Sequence, residues 1–150
     1  MKLKIQSSDQ MEQLGVAISK VLRAGDVLLL EGNLGAGKTT LTRGIGEGLG
    51  ASGTIQSPTF VLARTHKTSL GPRLVHVDAY RLSSAVELDD LDIDFERSIV
   101  VIEWPRDFVD GVIAQYLKIR IDRSSADDVR EVEISMHGAR WQGVEIALSD

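Results

Sequence analysis

The chain has 150 residues, 43% hydrophobic and 26% charged, the balance of one globular domain with a real core. It contains no cysteine, which excludes a disulfide framework and any thiolate metal centre and fits a reducing compartment. The net charge of −5 argues against a broad basic surface for nucleic acid. No apolar run approaches the roughly 20 residues of a membrane span, so a cytoplasmic enzyme or binding module without membrane contact is expected.

Met1 to Gln6 alternates polar and apolar residues and lacks the continuous apolar core of a signal peptide. The alternation predicts a strand over residues 2–6. Ser7 or Ser8 is placed to cap a helix, and Gln10, three residues after Ser7, resembles the far half of a capping box. Met11, Leu14, Ile18, Val21 and Leu22 then recur at helical spacing. Gly25 and Asp26 end that segment, and a strand over 27–31 follows.

Gly32-Asn33-Leu34-Gly35-Ala36-Gly37-Lys38-Thr39 fulfils G-x-x-x-x-G-K-[ST] between that strand and a helix expected from about Lys38 to Leu49. Backbone N–H groups around Gly35, Ala36 and Gly37 can converge on one anion, and glycine permits its close approach. The helix N-terminus adds a favourable partial charge. Lys38 is expected to reach the β- and γ-phosphates and the Thr39 hydroxyl to bind Mg²⁺. Thr40 suits the α-phosphate or a plain helix surface equally. The chain therefore reads as a binder of nucleoside triphosphate.

The helix after the loop carries Gly44, Gly46 and Gly48, with Gly50 just beyond. Each interior glycine costs about 1 kcal/mol relative to alanine. The one-turn spacing of Gly44 and Gly48 is read as close packing against the sheet with early fraying, rather than as a second ligand site.

Residues 59–66 and 73–78 are strand-like, with Gly71-Pro72 as the turn between them. Residues 84–91 are expected to be helical, with Ala85, Leu88 and Leu91 on one face, and Ile99 to Ile102 form a buried-strand candidate. Tyr116 to Asp122 and Val129 to Met136 alternate and are joined by a turn-rich linker, which predicts an antiparallel pair. Residues 137–150 fit a short helix or a strand. No repeat or linker interrupts the chain, so residues 1–150 are expected to form a single domain.

A phosphate loop needs an acid at the end of a neighbouring strand to hold Mg²⁺ and its waters. Asp78 ends Leu74-Val75-His76-Val77, and Glu103 ends Ser98-Ile99-Val100-Val101-Ile102. The two would suit a site with one metal-holding acid and one water-orienting base, in either assignment. His76 shares a strand face with Asp78 and is read as structural; His66 and His137 carry no signal. Arg81 is read as a phosphate contact or a surface ion pair.

Glu87, Asp89, Asp90, Asp92, Asp94 and Glu96 form an acidic run. Asp90-x-Asp92-x-Asp94 copies the start of a calcium loop, but Phe95 and Val101 stand where Gly and Glu are needed, so calcium is rejected. The run is read as a solvated face above Leu88, Leu91 and Phe95 and a candidate docking surface.

Asn33 is the single asparagine, so the N-K-x-D motif that reads guanine cannot be present, and ATP is favoured over GTP. A small-molecule kinase is the main enzymatic rival, although the region after Glu103 reads as an antiparallel pair without an arginine-dense lid. A nucleotide-dependent binding module with little turnover is the third class.

The ordered set of the loop with Thr40, then Ser57-Pro58-Thr59-Phe60, His76-Val77-Asp78-Ala79-Tyr80-Arg81-Leu82 and Glu103-Trp104-Pro105 resembles the TsaE family of small bacterial ATPases. Asn33 stands where Asp is commoner in that family. The resemblance implies an α/β fold of the P-loop NTPase kind, three-layered around a mixed, mainly parallel sheet, with the antiparallel pair at its C-terminal end. It implies a weak, partner-stimulated, Mg²⁺-dependent ATPase needed to make the threonylcarbamoyl modification of adenosine beside the tRNA anticodon. TsaB and TsaD are the implied partners, and tRNA is met indirectly through that complex. Carried over, Asn33, Leu34, Gly35, Ala36, Gly37, Lys38, Thr39 and Thr40 line the nucleotide site. Thr39, Asp78 and Glu103 serve the metal, and Lys38, Asp78, Glu103 and Thr59 serve hydrolysis. Thr59 resembles a switch threonine that senses the γ-phosphate, and Pro58 independently fixes the backbone before it. Trp104 would lie beside the nucleotide; from the residue alone, a core or interface aromatic is the preferred reading.

Overall fold

A seven-stranded sheet carries the chain, in the order β1-β7-β6-β2-β5-β4-β3. Its strands are β1 (Lys2–Ile5), β2 (Val27–Gly32), β3 (Ala63–His66), β4 (Arg73–Asp78), β5 (Ser98–Glu103), β6 (Tyr116–Arg123) and β7 (Arg130–His137). The helices among the described residues are α1 (Ser8–Ser19), α2 (Lys38–Leu49), α3 (Ala85–Asp90) and α4 (Asp107–Val112). The structure, a computed structural model, describes residues 1–33, 35–53, 55, 63–82, 84–105, 107–123 and 129–148. Leu34, Thr59 with the rest of the Ser57-to-Phe60 motif, the first part of the expected 59–66 strand and most of the 123–128 linker lie outside the described residues.

The four central strands β6, β2, β5 and β4 are parallel neighbours, while β1, β7 and β3 pair antiparallel at the two edges. The sheet is therefore mixed, with its parallel part at the centre, and β6–β7 is the expected antiparallel pair. Parallel strands are covered on both faces, which is why Val27 to Leu30 and all of β5 are buried without alternation. Alternate residues of β2 feed two cores. Leu28 and Leu30 join Met11, Leu14, Leu41 and Ile45 of α1 and α2, whereas Val27 and Leu29 join Leu88 of α3 and Val109 of α4. This is the expected three-layer arrangement.

Helix α1 begins at Ser7, whose Oγ accepts the Gln10 N–H at 3.1 Å. Gln10 Oε1 reaches back to the Gln6 N–H at 2.7 Å, one residue before the cap. Helix α2 spans the residues expected, but its glycines have a different cause. A Cβ at Gly44 would collide with the Glu12 carbonyl oxygen, one at Gly48 with Ser19 Oγ, and one at Gly15 of α1 with the Leu41 carbonyl oxygen. At Gly44 and Gly48 the close packing is against α1, not against the sheet, and Gly46 admits the Ile55 side chain. Nor does the helix fray. Gly50 turns left-handed at φ 69°, and the Gly50 and Ala51 N–H groups close the last turn on Glu47 O and Gly46 O.

The undecided segment after β7 forms a short 3-10 turn, Ala139–Trp141, and then runs irregularly to residue 148. Leu88 is buried and Leu91 and Phe95 half-buried beneath the acidic run, as expected of a solvated face. Among the described residues, no helix is long and apolar enough to cross a membrane.

Candidate active site at the carboxyl ends of the central strands

The loop between β2 and α2 is shaped by glycine. Gly35 and Gly37 take φ values of 78° and 115°, a region that side chains disfavour. Gly37 precedes α2 and offers no side-chain cap, so the first N–H groups of the helix remain for an anion. The loop is tied to β7, where Arg130 Nε donates to Ala36 O at 3.1 Å.

Lys38 is 6% exposed, and its amine curls back onto its own loop. Nζ donates to Gly32 O and to Asn33 O, the latter at 3.1 Å, and sits 3.8 Å from the centre of the Trp104 ring. Burial pulls its pKa below 10.5; the carboxylates of Glu103 and Asp78 act in the other direction. The amine thus faces two acids without forming an ion pair to a described residue.

Asp78 and Glu103 are register partners at the carboxyl ends of β4 and β5, which brings the two predicted acids side by side. Asp78 Oδ1 accepts the Tyr80 N–H at 3.0 Å and caps the turn Ala79–Arg81. Glu103 is 3% exposed, and its Oε2 lies 2.7 Å from His76 Nε2. Trp104 follows with a left-handed backbone, φ 56°, fixed by its N–H donating to Leu30 O at 3.1 Å. That geometry turns the indole over Lys38 and against Tyr80, edge to face at 5.7 Å. Trp104 is half-buried beside the loop.

A hollow of about 210 Å³ is lined by Gly35 to Thr40, Glu103 and Trp104. A second, of about 430 Å³, continues past Thr40 to Gln6, Ser7, Met11 and Arg130. Thr39 and Thr40 are half-buried at the start of α2, between these spaces and the helix. Among the described residues, no three His, Cys, Asp or Glu side chains form a metal cluster. The Thr39 hydroxyl with the Asp78 and Glu103 carboxylates is an oxygen set that fits Mg²⁺, which keeps most of its waters beside a phosphate. The Arg81 side chain lies outside the described residues. The sequence reading missed Arg130, Gln6 and Ser7 at this site, because only tertiary folding brings them there; no local pattern marks them.

Comparison with known proteins gives the family and the fold. A family model described as "Threonylcarbamoyl adenosine biosynthesis protein TsaE" matches residues 5–132. The chain belongs to the TsaE family. Within TsaE, a Streptomyces coelicolor protein named tRNA threonylcarbamoyladenosine biosynthesis protein TsaE is 49% identical over 145 residues, covering 92% of this chain and 98% of its own length. A Bacillus subtilis protein of the same name is 38% identical, covering 84% of this chain and 82% of its own. A crystal structure of Bacillus subtilis YdiB superposes with a TM-score of 0.78 at 29% identity, over 95% of this chain and 88% of that one.

Proposed function

We propose that this chain is a Mg²⁺-dependent ATPase of the cytoplasm that serves the threonylcarbamoylation of adenosine in tRNA. It acts by binding and hydrolysing ATP on a complex of TsaB and TsaD, and meets tRNA only through that complex. The observation that carries the ATPase reading is the hollow that the Gly35-to-Thr40 loop, with Lys38 at the start of α2, shares with Glu103, whose register partner is Asp78. Family membership and the names of the relatives support the pathway.

In this reading, backbone groups of Asn33, Leu34, Gly35, Ala36 and Gly37 cradle the phosphates, and Thr40 takes the α-phosphate. Lys38 exchanges two neutral carbonyl partners for phosphate oxygens, a gain because hydrogen bonds between opposite charges are about twice as strong. Mg²⁺ would be held by Thr39, with Asp78 and Glu103 behind its waters, and would neutralise charge on the transferred phosphoryl group. Glu103, one of whose oxygens is engaged by His76, orients the attacking water through the other. Trp104 flanks the nucleotide, and Thr59 senses the γ-phosphate.

The test is reconstitution with TsaB, TsaD, substrate tRNA and ATP. Multiple-turnover modification should require this chain and its Lys38. Glu103→Gln should lower hydrolysis by roughly 100-fold while ATP affinity changes by only a few fold. Thr59→Ala should likewise reduce hydrolysis more than affinity. Modification that proceeds equally without the chain would reject the proposal, and transfer of the γ-phosphate to an added metabolite would favour a kinase. Tight ATP binding with turnover indifferent to Glu103→Gln would favour a binding module.

A further inference from the structure

Glu103 has a neighbour that phosphate chemistry does not itself require. His76 is completely buried, two residues before Asp78 on β4. Across the parallel β4–β5 pair, His76 sits opposite Val101 and Asp78 opposite Glu103, so the alternation of strand side chains turns His76, Asp78 and Glu103 to the same face. His76 Nε2 meets Glu103 Oε2 at 2.7 Å, whereas His76 Nδ1 is buried with no hydrogen-bond partner among the described residues. A buried N–H left without an acceptor costs about 1–3 kcal/mol. The ring proton therefore belongs on Nε2, where a carboxylate accepts it, and not on Nδ1. Glu103 and Lys38 line the same hollow. Were Glu103 free to turn, an ion pair with the Lys38 amine would occupy the group that must meet phosphate. The structure instead has the amine on Gly32 O and Asn33 O and the carboxylate on His76.

We propose that His76 is a positioning residue: its Nε2–H holds Glu103 Oε2 away from Lys38, keeping the amine available to a triphosphate and leaving Oε1 as the oxygen that serves the cleft. The consequence for turnover rests on the ATPase reading; the geometry does not.

Two measurements test it. Ring ¹⁵N NMR of the nucleotide-free protein should show His76 as the Nε2–H tautomer, with a slowly exchanging proton that shifts in Glu103→Gln. A His76 ring protonated on Nδ1 with Nε2 bare would overturn the inference, whether or not the chain hydrolyses ATP. In kinetics, His76→Leu should lower kcat by about 100-fold, the scale of a misplaced catalytic group, with KM for ATP little changed. His76→Gln, whose amide reaches a similar distance, should recover most of that loss, and it serves alone if the Leu variant fails to fold. Wild-type kcat in His76→Leu, with turnover still dependent on Lys38, would overturn the role of His76 and leave the ATPase reading standing. Absence of wild-type turnover with both partner proteins would reject the ATPase reading instead. A crystal structure of His76→Leu would then decide the inference: Glu103 moved onto Lys38 Nζ supports it, and an unmoved Glu103 overturns it.

Discussion

The two ends of the central parallel strands treat buried charge in opposite ways. At the amino end, just before β2, the Asp26 carboxylate is saturated. It takes Arg140 Nε at 2.8 Å on one oxygen, and Arg140 Nη2 at 2.9 Å and the Arg23 N–H at 2.8 Å on the other. Arg140 also donates to Val21 O at 2.7 Å and lies over Trp141, so this end fastens the C-terminal segment to the α1–β2 connection. At the carboxyl end, valences are left open. Lys38 is held by neutral carbonyls and a ring, His76 Nδ1 has no partner among the described residues, and α2 starts without a side-chain cap. A fully satisfied buried pair fixes structure; an incompletely satisfied one is prepared for something that arrives later. Ligands of open α/β sheets bind at the carboxyl ends of the strands, which is where this loop and the two acids lie.

Substitutions at the two ends should separate stability from binding. Asp26→Ala leaves a buried guanidinium without its counter-charge and should cost about 3–5 kcal/mol. In a thermal melt that corresponds to a fall of roughly 10 °C, with ATP affinity of the folded fraction unchanged. Lys38→Ala should do the reverse, lowering ATP affinity by about 100-fold in calorimetry with little change in the melt. Between the two ends, Gly44→Ala drives a methyl into the Glu12 backbone and should cost about 1–3 kcal/mol in a urea titration. Ser7→Ala removes the α1 cap and should cost about 1 kcal/mol. A subtler effect is on pH. Because the free Lys38 amine titrates below 10.5, ATP affinity should begin to fall at a lower pH than an ordinary lysine would allow. Phosphate stabilises the charged amine, so binding in alkaline buffer should take up protons, readable by calorimetry in buffers of different ionisation enthalpy.

Local pattern made much of this legible. The buried run of β2, the G-x-x-x-x-G-K-T loop, the bounds of α2, the alternation of β6 and β7 and the two strand-end acids are written in neighbouring residues, and the fold keeps them. What was not legible depends on distance along the chain. Arg130 reaches Ala36 and Arg140 reaches Asp26 across 94 and 114 residues, and no periodicity announces either. The glycines of α2 were visible, but which neighbour they admit is a property of helix packing. Helix α4, six residues long, was not read from the sequence. Residues 138–148 offered no pattern because scattered anchors, Arg140 on Asp26 and the buried Trp141 and Ile146, hold them rather than a regular ladder.

The chain's two tryptophans fall one to each end. Trp141 is 3% exposed beside Arg140, whereas Trp104 is half-buried with the Lys38 ammonium over its ring. A cation over an indole alters its emission, and withdrawal of that cation toward phosphate would alter it again. Each tryptophan is thus an optical probe already in place. Trp104 should change intensity when the nucleotide is added, and Trp141 should stay constant until the protein unfolds. Single Trp→Phe replacements would let one fluorimeter follow occupancy and folding as separate colours of the same molecule.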